Sequence, residues 1–169
     1  MKKIVLSLFI ITLVSCKSDN KQVEKKIELE VKSYTYKTLE PILNRQDNKT
    51  YIINFWATWC KPCVEELPVF EKIGELYKNK NVEVILVSLD FPNQLETRLI
   101  PFIKKHKLRS KVILMTDTDQ NTWIPKISEK WSGAIPATLI YNKNSREFYE
   151  QSFTIDLLQK ELNKFIKTN

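Results

Sequence analysis

Two cysteines separated by two residues, Cys60 and Cys63, follow an apolar segment and precede a run with helical spacing. Thiols at this spacing can close a small disulfide and open it again, so the pair predicts a redox centre. The first turn of a helix has unpaired N–H groups and the positive end of the helix dipole, and both favour a thiolate. We therefore expect Cys60 to attack a disulfide, and the less exposed Cys63 to resolve the mixed disulfide that results.

The elements that must position this pair are a buried strand and an amphipathic helix. Residues 51–56 form a nearly continuous apolar run, which is typical of a parallel strand covered on both faces. Residues 62–78 have apolar side chains at helical spacing, and Pro62 fits the first turn, where a missing N–H costs nothing. Pro68 removes a donor inside this helix and is predicted to kink it.

The rest of the chain predicts a mixed α/β domain. Apolar periodicity and turn residues indicate strands at 33–37, 82–89 and 112–115, helices at 38–43, 95–103, 123–131 and 155–167, and a hairpin of 137–141 and 147–153 turning at 142–145. Strands and helices that alternate before a hairpin and a last helix indicate a mixed central sheet with helices on both faces.

The segment around the cysteines resembles a known active site. Residues 54–63, Asn-Phe-Trp-Ala-Thr-Trp-Cys-Lys-Pro-Cys, with Glu66 and Pro68 after them, resemble the active site of the thioredoxin superfamily. Within it the segment is most similar to the TlpA/ResA-like membrane-anchored thiol–disulfide oxidoreductases. Ordinary thioredoxins have a buried Asp at the position of Asn54, whereas the TlpA/ResA-like group commonly has Asn there.

A second segment extends this resemblance. Residues 131–138, Trp-Ser-Gly-Ala-Ile-Pro-Ala-Thr, resemble the loop that holds the cis-proline of the family. The resemblance spans about residues 32–169 and implies a thioredoxin-like fold. The stretch at about 91–131 then corresponds to the insertion that this group carries between the βαβ unit and the C-terminal hairpin. Asn54 and Trp56 are expected to have structural roles.

The resemblance also implies further site residues. Glu66 becomes the third catalytic candidate, because a partly buried carboxylate one turn beyond Cys63 can accept and return the proton that exchange moves. Pro136 is expected to shield the sulfurs with its ring, in the cis form that X–Pro bonds tolerate. The backbone of Ile135 would pair with an extended substrate segment, and Trp59 would flank this groove.

Other interpretations of the cysteine pair have weaker support in the sequence. A structural zinc site usually takes four Cys or His ligands, and the chain has three cysteines and one histidine. A static disulfide does not normally span two residues at the beginning of a helix. A copper module of the related Sco type normally has CxxxC, and His106 here lies in a lysine-rich helical stretch. A peroxidase would carry a Pro-x-x-x-Thr/Ser-x-x-Cys motif. We predict no metal and no cofactor.

The N-terminus predicts export and a lipid anchor. Lys2 and Lys3 precede an apolar stretch, residues 4–14, that is too short to span a bilayer as a mature helix. It ends in Leu-Val-Ser-Cys at 13–16, which resembles the bacterial lipobox and makes Cys16 the lipidated residue. The predicted organisation is a signal peptide at 1–15, the lipidated cysteine with a polar tether at 16–31, and the thioredoxin-like domain at 32–169.

Charge and composition exclude some partners. The 169-residue chain carries a formal net charge of +7, which falls to +5 without the two lysines of the signal peptide. Basic and acidic residues are interspersed along the sequence, so we interpret the charge as a solvated surface and predict no nucleic-acid binding.

Lys17, in place of the Asp that retains enteric lipoproteins in the inner membrane, favours the outer membrane. The domain is expected to be a monomer.

These observations predict an extracytoplasmic thiol–disulfide oxidoreductase, anchored on the periplasmic side of the cell envelope, that reduces disulfides of exported proteins. By the resemblance, its clients include apocytochromes c that await haem. An upstream membrane thiol reductase must restore the dithiol, because the compartment is oxidising. Two alternatives stay open: an oxidase or isomerase, since Lys61 would stabilise a thiolate, and a lipoprotein whose thiols bind a metal or a partner without catalysis.

Overall fold

The computed structural model describes residues 30–166. Its elements in chain order are β1 (Lys32–Tyr34), α1 (Tyr36–Leu39), β2 (Thr50–Trp56), α2 (Lys61–Leu76), β3 (Val82–Ser88), α3 (Ile100–His106), β4 (Lys111–Met115), α4 (Gln120–Ile127), β5 (Ala137–Tyr141), β6 (Arg146–Tyr149) and α5 (Ile155–Ile166). The predicted signal peptide, Cys16 and nearly all of the tether lie outside the described residues.

The six strands form one mixed sheet in the order β1-β4-β3-β2-β5-β6. The first four of these run parallel, while β5 is antiparallel to β2 and β6 to β5. β2 lies between β3 and β5, where Ile53 is opposite both Ile85 and Leu139. Every residue of β2 is buried, which explains why its sequence is an apolar run rather than an alternation.

Helices cover both faces of the sheet, as predicted. On one face, α2, α3 and α5 bury apolar side chains such as Phe70, Ile103 and Leu162 against the strands. On the other face, α1 and α4 do the same with Leu39 and Trp123. Two apolar layers therefore hold the carboxyl end of β2, where the cysteines follow, in a fixed position between helices.

The structure corrects several predicted boundaries around the insertion. The helix predicted at 95–103 is a π-helical turn, Leu95–Leu99, followed by α3. Pro101 lies in the first turn of α3 and has no N–H for a regular helical bond, so one continuous α-helix cannot form there. The helix predicted at 123–131 is α4, which begins earlier and ends where Ser128 is extended.

The hairpin and the first strand also differ from prediction. The second hairpin strand was expected to reach Phe153 but ends at Tyr149, because the Phe153 backbone turns away from the sheet and bonds to a side chain of α2. β1 is shorter than predicted because α1 begins at Tyr36, whose N–H donates to Asp117 Oδ2 at 2.5 Å. Within residues 30–166, every helix is too short or too polar to span a bilayer.

Candidate redox site

The two cysteines form a disulfide at the N-terminus of α2. Cys60 is the N-cap residue of the helix, and the bond joins it to Cys63. The backbone N–H of Cys63 donates to Cys60 Sγ at 3.3 Å, and the N–H of Cys60 donates to the Ala57 carbonyl at 3.1 Å. Pro62 occupies the first helical turn, as predicted. Cys63 is fully buried, whereas Cys60 is 6% exposed, so Cys60 is the sulfur that solvent reaches.

A cis-proline loop lies against the sulfur of Cys60. The Ile135–Pro136 peptide is cis, and Cys60 Sγ lies 3.7 Å from the carbonyl oxygen of Ile135. Pro136 is buried and Ile135 is half-buried. The structure therefore brings together four of the residues that the sequence analysis assigned to the site, the two cysteines and this dipeptide, although they are 75 positions apart in the chain.

Local contacts fix this loop. The indole N–H of Trp131 donates to the Ala134 carbonyl at 2.8 Å, and the Ser132 N–H donates to Glu150 at 2.8 Å. Gly133 has a φ of 97°, a left-handed conformation that a residue with a Cβ rarely adopts. The predicted helix could not continue through Trp131, because this segment has to turn and present Ile135 to the disulfide.

Glu66 is buried one helical turn beyond Cys63. Glu66 is 3% exposed. Its carboxylate accepts hydrogen bonds from Asn54 Nδ2 at 2.9 Å and from the Phe153 N–H at 2.8 Å. Burial raises the pKa of Glu66 to about 7, while the hydrogen bonds from Phe153 and Asn54 act in the opposite direction. This carboxyl group can therefore hold or release a proton near neutral pH.

Asn54 connects this carboxylate to the cis-proline loop. Its amide Nδ2 also donates to Thr138 Oγ1 at 3.2 Å, and Thr138 lies two residues after Pro136. Among the described residues, Asn54 Oδ1 has no hydrogen-bond partner although it is buried. Asn54 was expected to have a structural role, and this network was not predicted. A polar residue inside an apolar strand was the signal that could have revealed it.

Asp90 is a second buried carboxylate that the sequence analysis missed. It accepts hydrogen bonds from the Thr58 N–H at 3.1 Å, the Thr58 hydroxyl at 2.5 Å and the Ser88 hydroxyl at 2.8 Å. Thr58 belongs to the short segment between β2 and Cys60, so Asp90 fixes the approach of the chain to the disulfide. An acidic residue at the carboxyl end of a neighbouring parallel strand was the available signal.

Two exposed aromatic side chains flank these bonds. Trp59 is 50% exposed and Phe91 is 60% exposed. Trp59 follows Thr58 in the chain and Phe91 follows Asp90, so each lies next to one residue of the Thr58–Asp90 hydrogen bond. The only other large apolar side chain exposed among the described residues is Leu76, at the far end of α2. Trp59 was predicted to flank the substrate groove, whereas Phe91 was not singled out.

Other candidate groups lie in solvent. Lys61 is 87% exposed and its ammonium group is 3.8 Å from Glu65 Oε1. His106 is exposed at the end of α3 and stacks on Phe102 with ring centroids 4.0 Å apart. Within residues 30–166, no three His, Cys, Asp or Glu side chains are arranged to hold a metal ion.

The fold and the site together define a class of protein: a thioredoxin-like domain with a CxxC disulfide at the N-terminus of a helix and a cis-proline loop beside it. Residues 23–146 match the model of the AhpC/TSA family. The chain belongs to the AhpC/TSA family. The predicted thioredoxin-like fold is confirmed.

Individual relatives carry names from thiol chemistry. The thiol–disulfide oxidoreductase ResA of Oceanobacillus iheyensis is 32% identical over 125 residues, 72% of this chain and 59% of that protein. ResA of Bacillus cereus is 32% identical over 99 residues, 58% of this chain and 51% of that protein. The chain thus spans less than two thirds of the length of these relatives. The crystal structure of StoA from Bacillus subtilis shares the fold, with a TM-score of 0.55 at 23% identity over 68% of this chain and 83% of that one.

Proposed function

We propose that this protein is an extracytoplasmic thiol–disulfide oxidoreductase that reduces disulfides in exported client proteins. The observation that carries the proposal is the Cys60–Cys63 disulfide at the N-terminus of α2, with Cys60 Sγ beside the cis-proline loop. The similarity to two proteins named thiol–disulfide oxidoreductase ResA supports the same activity.

In the proposed cycle, the reduced protein is the electron donor. The Cys60 thiolate attacks one sulfur of a client disulfide, and the other client sulfur leaves as a thiolate and takes up a proton. The Cys63 thiol loses its proton and attacks Cys60 Sγ, which releases the second client sulfur as a thiolate that takes up this proton. The client gains two electrons and two protons, and the Cys60–Cys63 disulfide forms. An upstream membrane thiol reductase returns the electrons.

Glu66 is proposed to hold the proton that moves in the second step. Its pKa of about 7 places it between protonated and ionised at neutral pH, where a proton carrier is most effective. Its oxygens bond to Asn54 and to the Phe153 N–H in the disulfide form. We therefore assign Glu66 the role of a proton reservoir in the same helix as the resolving Cys63.

The client is proposed to bind in an extended form across the sulfur of Cys60, the more accessible of the two cysteines. Ile135 presents its backbone carbonyl beside Cys60, and Pro136 has no N–H that would compete for the client. Trp59 supplies an exposed apolar surface next to the attacking sulfur. Exported proteins with misplaced disulfides and apocytochromes c fit this arrangement as clients.

The helix N-terminus stabilises a Cys60 thiolate, but the charged side chains near the disulfide support the reducing direction over the oxidising one. A stabilised thiolate would make the disulfide a stronger oxidant, and Lys61 was the residue expected to supply that stabilisation. Its ammonium group is exposed and close to Glu65, so solvent and a neighbouring anion screen it. Glu66 is buried, and its negative charge when ionised disfavours a nearby thiolate. An oxidase or isomerase remains the second candidate function.

We further propose that the chain is a lipoprotein of the cell envelope. The Leu-Val-Ser-Cys sequence at 13–16 supports acylation of Cys16, and Lys17 favours the outer membrane. Cys16→Ser is expected to move the protein from the membrane fraction to the soluble fraction while thiol–disulfide activity is retained. Membrane association that persists in this variant would contradict the anchor.

Two matched variants test the redox mechanism. Cys60→Ser is expected to abolish client reduction, because the attacking thiolate is lost. Cys63→Ser is expected to leave a mixed disulfide between Cys60 and the client, which is detected as a higher-mass band that a reductant removes. Equal activity in both variants contradicts the mechanism. A tight metal site in the reduced protein would favour the non-catalytic alternative instead.

A further inference from the structure

The fold separates charges that are interspersed in the sequence. The disulfide lies at the carboxyl edge of the parallel strands. The connecting segments at this edge contain five acidic residues and one basic residue, Lys130. The segments are 57–60, 89–91, 116–119, 128–136 and 150–154, and the acidic residues are Asp90, Asp117, Asp119, Glu129 and Glu150. The connecting segments at the opposite, amino edge contain seven basic residues and one acidic residue, Asp47. The segments are 43–49, 77–81, 107–110 and 142–145, and the basic residues are Arg45, Lys49, Lys78, Lys80, Lys107, Arg109 and Lys143. The two edges therefore have opposite net charge.

Several cations of the amino edge have no ion-pair partner among the described residues. The acidic groups nearby are already occupied: Glu83 pairs with Lys49 at 2.8 Å, and Glu71 lies 3.6 Å from Arg109 and accepts backbone N–H groups. Lys80 lies over the Tyr77 ring and Lys143 donates to Asn48 Oδ1. The remaining lysines at this end of the sheet, which we call the basic edge, have no ion pair within residues 30–166 and lie in the connecting segments, in the last turn of α3 or at the beginning of β4: Lys78, Lys104, Lys105, Lys107 and Lys111. Their side chains are exposed, so the positive charge faces outward.

The N-terminal segment joins the domain at this same edge. β1 is parallel to β4, with Lys32 opposite Ile113, so the chain enters the sheet beside the beginning of β4. Lys111 is the first residue of β4, and Lys104, Lys105 and Lys107 precede it at the end of α3 and just after that helix. The segment that carries the proposed anchor therefore reaches the domain on the side away from the disulfide.

We propose that the basic edge docks on an anionic membrane surface, so that the disulfide faces away from the lipid. Each exposed lysine near such a surface strengthens binding by about fivefold, so several of them together hold the domain in one orientation. Docking by the opposite edge would bring acidic groups to the lipid and bury the redox site. The proposal rests on the proposed lipid anchor, but it concerns different residues from the redox cycle and can fail or succeed independently of that cycle.

Lysine labelling on vesicles tests this orientation. The full chain is reconstituted into vesicles of phosphatidylcholine alone or with a third of phosphatidylglycerol, treated with an amine-acylating reagent, and analysed by mass spectrometry. Lysines of the basic edge are expected to react several-fold more slowly on the anionic vesicles, and high salt should abolish the difference. Lys37, Lys130 and Lys160 are exposed elsewhere on the domain and should react equally on both.

A triple variant tests the cause of the protection. Lys104→Gln, Lys105→Gln and Lys111→Gln together should weaken adsorption by on the order of a hundredfold and restore labelling of the two remaining lysines. The matched control replaces Lys37, Lys130 and Lys160 by Gln and should leave the protection unchanged. Equal labelling on neutral and anionic vesicles, or protection that survives the first variant, overturns the proposal.

The reactivity of the disulfide reports which edge faces the lipid. Its rate of reduction by dithiothreitol should be the same on neutral and anionic vesicles, because the disulfide edge stays in water. A rate that falls several-fold only on the anionic vesicles would show that the disulfide edge faces the membrane, and would overturn the proposed orientation. Client reduction in solution by the triple variant should equal that of the unaltered chain, which separates this proposal from the redox function.

Discussion

Beside the disulfide, two buried carboxylates are each bonded to several neighbours, whereas the lysines of the basic edge are exposed and have no ion-pair partner among the described residues. Asp90 and Glu66 each accept hydrogen bonds from more than one group. The lysines of the basic edge have no ion-pair partner within residues 30–166. Electrostatic interactions are strong where water is excluded and weak where it is present. Single substitutions of the two buried carboxylates should therefore change stability or activity strongly. Each substitution in the basic edge should have a small effect on stability, and these effects should add.

The largest effect on the free energy of unfolding is expected from Asp90→Ala. It leaves the part-buried Thr58 N–H and hydroxyl and the buried Ser88 hydroxyl without their acceptor, and an unsatisfied group costs about 1–3 kcal/mol when it is buried. Denaturant unfolding should show a loss of several kcal/mol, and client reduction should slow because the segment before Cys60 is released. Asp90→Asn keeps one oxygen that can accept some of these hydrogen bonds, and should recover much of the stability and of the rate of client reduction. Equal losses in the two variants would show that the bonds are not the cause.

The next effect concerns Glu66 and pH. Because its folded-state pKa is raised from 4.5 to about 7, its contribution to stability is fully present below about pH 4.5 and is lost as the pH rises to about 7. A shift of this size corresponds to about 3 kcal/mol. Glu66→Gln should remove this part of the pH dependence, as measured by denaturant unfolding at pH 5 and pH 8. An unchanged slope between these two pH values would mean that burial does not shift the group.

The same substitution should alter the redox rate. Without the titrating carboxyl group, the rate of client reduction should lose its inflection near pH 7 and fall at neutral pH. The amide that replaces the Glu66 carboxylate should be accommodated. Asn54 Oδ1 is buried without a partner, and after rotation of the Asn54 amide it can accept a hydrogen bond from the introduced NH2 group. A pH profile identical to that of the unaltered chain would leave Glu66 with a structural role only.

A smaller effect is expected from the exposed aromatic side chains. Trp59→Ala and Phe91→Ala should each raise KM for a protein client by roughly tenfold or less, with little change in kcat, since they remove apolar contact area rather than chemistry. Leu76→Ala is the matched control, because Leu76 is similarly exposed but lies at the other end of α2. A KM that rises equally in the control would show that general surface hydrophobicity, and not the disulfide edge, binds the client.

The smallest effect on the isolated fold is expected from the basic edge. Replacing Lys104, Lys105 and Lys111 by Gln should change the free energy of unfolding by less than about 0.5 kcal/mol for each residue, as is usual for exposed side chains without partners. Thermal unfolding in the absence of lipid measures this. A large loss of stability would mean that these lysines hold the fold together, and would remove the contrast between the two edges.

The sequence predicted the parts of the site that are local or that follow a family motif. The CxxC spacing, Pro62 and the apolar strand before them indicated a disulfide at the N-terminus of a helix, and residues 131–138 indicated the cis-proline. Asp90 and Phe91 were missed because the Thr58–Asp90 contact joins residues 32 positions apart, and no periodicity records it. Local contacts of Trp131 likewise ended a helix that the pattern had extended.

Charge distribution shows the same limit on prediction. Along the sequence, acids and bases alternate, and the interpretation as an evenly solvated surface followed from that order. The alternation of strands and crossover helices sends successive connections to opposite edges of the sheet, and this sorting places the lysines before β3 and β4 together. Such segregation becomes visible only when the strand order and direction are known.

The midpoint potential of the Cys60–Cys63 pair tests the central claim most directly. It is measured on the full chain by equilibration in thiol–disulfide buffers and alkylation of the free thiols. We predict a reversible two-electron couple at or below roughly −250 mV, near the thioredoxin end of the scale, as a reductase requires. A value near about −120 mV would contradict the reducing direction and favour disulfide introduction. A pair that forms no intramolecular disulfide in any buffer would contradict the redox function altogether.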